Sequence, residues 1–370
     1  MNKGFVAVSV LSLVIALPCQ AASTKPTVAT FDQLARAADQ ARTENRDDEG
    51  IRLYQRALEL RPEWDEGLWY LSTLFYEKER YFEACETLRR FLAQHSDVGY
   101  GWALLGMNEF QTHQYARALN HLQRGMALGL GDQKKMASSV FHLTAILLAR
   151  SEQFDDSMSL LFSMAASGEA TLSLVEPAGL AALRMPLLPA EIPVDRREMV
   201  RMAGSAALAL QAQRNGEAEK LFRDMEAAYP NEPGVHFLFG AYLLDTRPED
   251  GIQEMKRELE ISPSHVPARL RLAEEYVKRQ QFDQGLSFAQ EALRLEPKDV
   301  SARMVLGEVL IAKGDLAGGI RELETARDRS PEVIRVRWDL VRAYTAAGRN
   351  EDADREKDEI RKLNRQDAAQ

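Results

Sequence analysis

Six histidines, two cysteines and 56 acidic residues are the groups in this chain with the capacity for chemistry, and their spacing decides which chemistry is open to them. His95, His113, His121, His142, His236 and His265 never fall three or four residues apart, the separation that sets two imidazoles on one helical face for a metal. No H-E-x-x-H, C-x-x-C, Walker-type glycine loop or G-x-S-x-G elbow is present. The usual routes to metal-assisted hydrolysis, thiol redox work, phosphate binding and acyl transfer therefore lack their signatures. Neighbouring acids such as Asp155–Asp156 and Glu274–Glu275 read as solvated faces in so acidic a chain, because paired acid–base catalysis needs a cleft to hold the pair. The expectation is a non-enzymatic protein with no cofactor and no metal.

Position along the chain is set by a repeat. Pro230, Pro263, Pro297 and Pro331 are separated by 33, 34 and 34 residues. Each closes a run with the pattern of an amphipathic helix, and proline ends such a helix because it lacks an N–H and restricts the residue before it. The second helix of a unit carries a small residue, an apolar residue four later and an alanine three after that: Gly50–Tyr54–Ala57, Gly285–Ala289–Ala292 and Gly319–Leu323–Ala326. These spacings put all three on one face. The first helix carries a leucine followed by a small residue, as at Leu105–Gly106, Leu272–Ala273 and Leu306–Gly307, with Trp102 three residues ahead of Leu105 and Tyr276 three after Ala273.

This 34-residue grammar resembles the tetratricopeptide repeat, over most of residues 31–367. Nine units begin near Phe31, Asp65, Gly99, Ser138, Met199, Pro233, Val266, Val300 and Ile334. The fourth is irregular, with Ser157 in place of the alanine. The sixth is one residue short at the Asp245–Gly251 turn. The last places Lys357 and Ile360 in its second-helix slots. The resemblance implies an all-α, right-handed superhelical solenoid of antiparallel helix pairs with an irregular insert. Such a fold works by offering surface to partners.

Composition agrees with a folded array: 45% hydrophobic, 28% charged, formal net charge −9. An acidic chain of this kind lacks the clustered lysine and arginine that nonspecific nucleic-acid binding needs, and no nucleic-acid partner is expected. Residues 1–22 differ from the rest. Lys3 precedes an apolar run from Phe5 to Leu17, followed by Pro-Cys-Gln-Ala-Ala, the three-part layout of a signal peptide cut near Ala21. The run is shorter than the ~20 residues of a membrane span. The expectation is an exported, bacterial, periplasmic or extracellular protein. A lipid anchor at Cys19 is the rival reading, opposed by Leu17 and Pro18 beside the cut. Loss of Cys19 with the leader leaves Cys85 alone.

Residues 23–30 read as a flexible lead-in, 31–169 as an N-terminal array, 170–197 as a proline-rich insert or hinge, and 198–367 as a C-terminal array with a charged capping helix. In the family resembled, first helices line the concave wall. The phase then gives Trp69, Thr73, Tyr76, Tyr100, Met107 and Phe110 as an apolar, aromatic partner-binding set in the second and third units, of the composition favoured at interfaces. The later units give Leu270, Glu274, Lys278, Met304, Glu308, Arg335, Trp338 and Arg342, of which Arg335, Trp338 and Arg342 are the chosen contacts. Asp39 and Thr73 stand where the family's carboxylate clamp has asparagine, so that clamp is not expected. The function read from this is a scaffold binding a protein or peptide in a groove. The alternatives are an envelope assembly or secretion accessory factor, or a glycan-binding accessory of polysaccharide biosynthesis. Partner identity and oligomeric state stay open at this stage.

Overall fold

The computed structural model describes residues 29–131, 134–168 and 171–367. The leader-like residues 1–22, with the expected cut near Ala21 and Cys19, and most of the expected lead-in lie outside the described residues. Those described carry nineteen α-helices and no strand. Along the chain they run α1 (Phe31–Thr43), α2 (Asp47–Leu60), α3 (Asp65–Glu77), α4 (Tyr81–Gln94), α5 (Gly99–Gln111), α6 (Tyr115–Leu128), α7 (Lys134–Arg150), α8 (Phe154–Ala166) and α9 (Thr171–Ala182). A short 3-10 turn at Pro189–Glu191 precedes α10 (Arg197–Gln211), α11 (Asn215–Ala228), α12 (Val235–Thr246), α13 (Pro248–Ile261), α14 (Val266–Lys278), α15 (Phe282–Leu295), α16 (Val300–Lys313), α17 (Leu316–Arg329), α18 (Ile334–Ala346) and α19 (Asn350–Asp367). This is the all-α, helix-pair solenoid that the repeat implied. Two compact units divide it, the first ending at Leu74 and the second beginning at Phe75.

One local device makes most of the pairs. Asn45, Glu79, His113, Glu152, Gln213 and Gln280 all hold a positive φ between 56° and 65°, each two residues ahead of the next helix. Gly314 and Gly348 do the same in the last two pairs. A left-handed residue here closes the end of the first helix and turns the chain back. The short sixth pair lacks it: Arg247, between α12 and α13, has φ −143°. The small residues then let the two helices meet. A Cβ on Gly307 would lie 2.8 Å from Leu323 Cγ and 3.0 Å from the Gly319 carbonyl. The larger residues of the pattern fill what remains: Tyr54, Leu272, Ala289 and Leu323 are all fully buried. Each buried leucine contributes about 2 kcal/mol.

A second device ties several pairs to the loop before them. Arg303 donates to the Pro297 carbonyl at 3.2 Å and pairs with Glu322 at 2.7 Å. One repeat on, Arg337 donates to the Pro331 carbonyl at 2.8 Å and pairs with Glu356 at 2.6 Å. His236 stands in the same place earlier, with Nε2 2.8 Å from the Pro230 carbonyl and Nδ1 2.6 Å from Glu254. In the third pair Trp102 gives its indole N–H to the Ser96 carbonyl at 2.9 Å.

Two segments with irregular sequences are ordered. In α19, read as a charged cap, Ala353, Glu356 and Ile360 are buried, and Lys357 is half-buried. Within 170–197, residues 171–182 form α9, which crosses α10 closely. A Cβ on Gly179 would fall 1.9 Å from the Val200 carbonyl, and one on Gly204 1.9 Å from the Val175 carbonyl. That pairing, 179 with 200 and 175 with 204, makes the two helices antiparallel. Arg184, after α9, takes the same left-handed turn as the ordinary first helices, with φ 53°. The chain then runs through residues 185–196 before α10 begins, with Leu188 and Ile192 buried along the way. Helix α10 thus has two partners. Leu208 packs with Leu161, Leu174 and Ala178, while Ala203, Ala206 and Ala209 pack with Phe222 and Phe239 of the next helices.

Candidate interaction groove

In the unit ending at Leu74, Trp69 and Thr73 are half-buried, and the Thr73 hydroxyl donates to the Tyr70 carbonyl at 2.8 Å. Asp39 accepts a 2.6 Å hydrogen bond from the Tyr54 hydroxyl. Burial and that bond to a carboxylate raise the Tyr54 hydroxyl above its ordinary range.

In the second unit Tyr76, Met107 and Phe110 do come together, but as packing. Met107 is buried in a cluster with Leu119, Leu122 and Leu148, and Tyr76 and Phe110 lie against it. Their rings rest on Tyr81 and Tyr115 at 6.0 and 5.6 Å. Tyr100 is half-buried. Cys85 is also buried, and burial pushes its thiol up to about 11, far from a reactive thiolate.

The later set fares differently. Trp338 is 47% exposed, Arg342 pairs with the buried Asp339, and Arg335 reaches Glu308 at 3.3 Å and Glu274 at 3.6 Å. Arg335, Leu270, Glu274 and Met304 line a cavity of about 1310 Å³ inside the second unit. One side of it is built by first helices of successive pairs, through Ala203 and Ala207 of α10, Phe237 and Ala241 of α12, Leu270 and Glu274 of α14, and Met304 of α16. Much of the rest comes from α8 and the turn just after α9, through Phe154, Met158, Phe162, Leu183 and Arg184. Phe237, Ala241 and the α8–α9 wall were missed in the sequence. The first two stand at the phase of Leu270 and Glu274 one unit earlier, so extending the same count finds them.

Two histidines in this region carry opposite charge preferences. His265 caps α14, its Nδ1 accepting from the Ala268 N–H at 3.1 Å, which requires a neutral ring at that nitrogen. Burial, and then the nearby Arg184, push it down to about 4. His236 faces two oxygens that can only accept, and the bond to Glu254 raises it above its ordinary value. Among the described residues Glu226, His236 and Glu254 bring one ligand atom each within 4.8 Å of one another. Both ring nitrogens of His236 are already engaged, and Arg257 sits 3.2 Å from Glu226 and 2.9 Å from Glu254. The group is a salt-bridged clamp in the position that Arg303 and Arg337 fill elsewhere.

Residues 270–332 and 310–370 each match a model of the tetratricopeptide repeat. The chain carries tetratricopeptide repeats. The matched stretch takes in the last three helix pairs, of which the first two keep the tetratricopeptide phase of prolines and small residues most regularly. Among solved structures, a double mutant of MamA from strain RS-1 is 18% identical over 47% of this chain and 98% of its own, with a TM-score of 0.41. MamA residues 41 to the end from Desulfovibrio magneticus RS-1 are 19% identical over 46% of this chain and 96% of their own, at 0.40. No curated protein matches the chain. Tetratricopeptide repeats stack into surfaces for other proteins, and no helix among the described residues is long and apolar enough to cross a membrane.

Proposed function

We propose that this protein is a non-enzymatic scaffold that holds a peptide or protein partner in the cavity walled by α8–α10, α12, α14 and α16. The observation that carries the reading is the lining itself: side chains of successive first helices, among them the half-buried Ala207, Phe237, Ala241 and Leu270, gathered along one space, where helix-pair arrays have area to spare. At about 1310 Å³ the space exceeds the ~300–1,000 Å³ of a small-molecule pocket and suits a segment of polypeptide. The leader-like residues 1–22 support a place outside the cytoplasm, in the bacterial periplasm or beyond. A photocrosslinking amino acid at Leu238, inside the cavity, is compared with one at Arg321, on the outer face of α17. The reading expects adducts from Leu238 that vanish when Ala207→Trp fills the space. Equal adducts from both positions overturn it. An envelope assembly or secretion accessory is a narrower form of the same role. The mass of the mature N-terminus distinguishes a chain cut near Ala21 from one lipidated at Cys19.

A further inference from the structure

We infer that the segment received by this groove is cationic: an apolar stripe flanked by lysine or arginine side chains. The inference rests on the groove reading above and adds the chemistry of the occupant. Much of the cavity's lining is apolar, with Met158, Phe162, Phe237, Leu238 and Leu270 all half-buried. Its charges do not balance. Three arginines line it, and each is already taken by an acid: Arg184 by Asp155 at 3.8 Å, Arg271 by Glu274 at 3.3 Å, and Arg335 by Glu308 and Glu274 at 3.3 and 3.6 Å. Asp299 is committed to capping α16 through the Ala302 N–H. Glu152, Asp245 and Glu296 line the same space and form no ion pair among the described residues. They come from three separate places, the α7–α8 turn, the end of α12 and the α15–α16 loop, so their fields add within one opening.

The electrostatics inside agree. Glu296 is held above the usual carboxylate range, first by partial burial and then by Asp299, with Glu152 adding to the repulsion and Arg184 only offsetting it. His265 lines the cavity as a neutral ring and supplies no compensating charge. Low-dielectric walls focus such a field, and a cation entering the opening would relieve the repulsion between these carboxylates.

The test uses the full exported chain and two fluorescent peptides of about 16 residues with leucines at i, i+3, i+4 and i+7. One carries lysines on the flanks and the other carries glutamates at the same places. Fluorescence anisotropy should show the lysine peptide binding roughly tenfold or more tightly than its glutamate twin, with affinity falling as salt rises. Glu152→Gln with Asp245→Asn and Glu296→Gln should reduce the lysine peptide's affinity roughly tenfold while circular dichroism stays unchanged. Ala207→Trp should abolish its binding. Lysine and glutamate peptides binding alike, both blocked by Ala207→Trp, overturn the cationic preference and leave the groove standing. Lysine-peptide binding untouched by both variants overturns the assignment to this cavity, as does no binding of either peptide, whereas the crosslinking comparison at Leu238 judges the groove independently.

Discussion

Arg337 and Glu356 meet at 2.6 Å with both side chains almost wholly buried, and the same guanidinium holds the Pro331 carbonyl at 2.8 Å. The contact joins the last first helix to the last second helix and to the loop that introduces them. Arg327 adds a second arginine to Glu356 at 2.8 Å. Removing one partner of a buried pair leaves the other charge without compensation, which costs far more than the pair contributes.

Arg337→Ala should therefore destabilise the C-terminal pair by about 3 kcal/mol. Hydrogen exchange should show the loss in α18 and α19, with α10–α12 unaffected, because neighbours alone couple in an array. Exchange that is unchanged in α19 would show that Arg327 alone suffices for Glu356.

His236 occupies the same place with a titratable group. Its folded value is raised from 6.5, so the folded state binds the proton more tightly than the unfolded chain does. The stability this supplies is fully present below about 6.5 and is lost as pH rises through the raised value. His265 has the opposite sign. With its value pushed down to about 4, its contribution is present above about 6.5 and fades as pH falls toward 4. Melting temperatures from pH 4 to 9 for the natural chain and for His236→Arg check the first claim. The difference between them should grow on the alkaline side, and a constant offset across the range would contradict it.

The left-handed turns make a prediction of the other sign. Gln280 holds φ 59° without being glycine, a conformation that costs a side-chain-bearing residue roughly 1 kcal/mol. Gln280→Gly should stabilise the α14–α15 pair by about that amount, and Gly314→Ala should destabilise α16–α17 similarly. Local hydrogen exchange reads both. Equal protection in parent and variants would mean that tertiary contacts set these turns regardless of residue type.

At the α9–α10 crossing even one methyl is too much. Gly204→Ala places a carbon 1.9 Å from the Val175 carbonyl, backbone that has no rotamer to yield. It should cost more than about 2 kcal/mol and expose α9 and α10 to exchange. Gly216→Ala, in a helix with nothing within 4 Å of the added carbon, should be neutral or stabilising by up to ~1 kcal/mol. The pair of melts separates crowding from helix propensity.

Much of this architecture was legible because period and phase survive substitution. Phe31, Asp65, Gly99, Val266, Val300 and Ile334 begin helices at the residues the repeat marked. The cavity was half legible for the same reason. Leu270, Glu274, Met304 and Arg335 line it in phase, and Ala203, Ala207, Phe237 and Ala241 continue that phase upstream. The rest of its lining was hidden, since Phe154 belongs to the irregular fourth unit and Arg184 to the turn after α9. Periodicity also misleads where a polar residue is buried by a specific partner. Glu356 enters the last pair because Arg337 awaits it, and a pattern of apolar slots points to its neighbour Lys357 instead. Met107 read as a surface residue on phase alone, whereas the cluster around Leu119 and Leu148 swallows it.

Helix α10 answers to two neighbours, so the proline-rich stretch ahead of it is a poor place to divide the chain. Its exposed residues Pro193, Val194 and Asp195 invite a protease. Yet a nick there severs only a strap, since the Gly179–Gly204 seam still clasps the pieces to each other. Fragments ending before and starting after that strap should copurify as one particle, and either made alone would carry a raw apolar flank in search of its missing half.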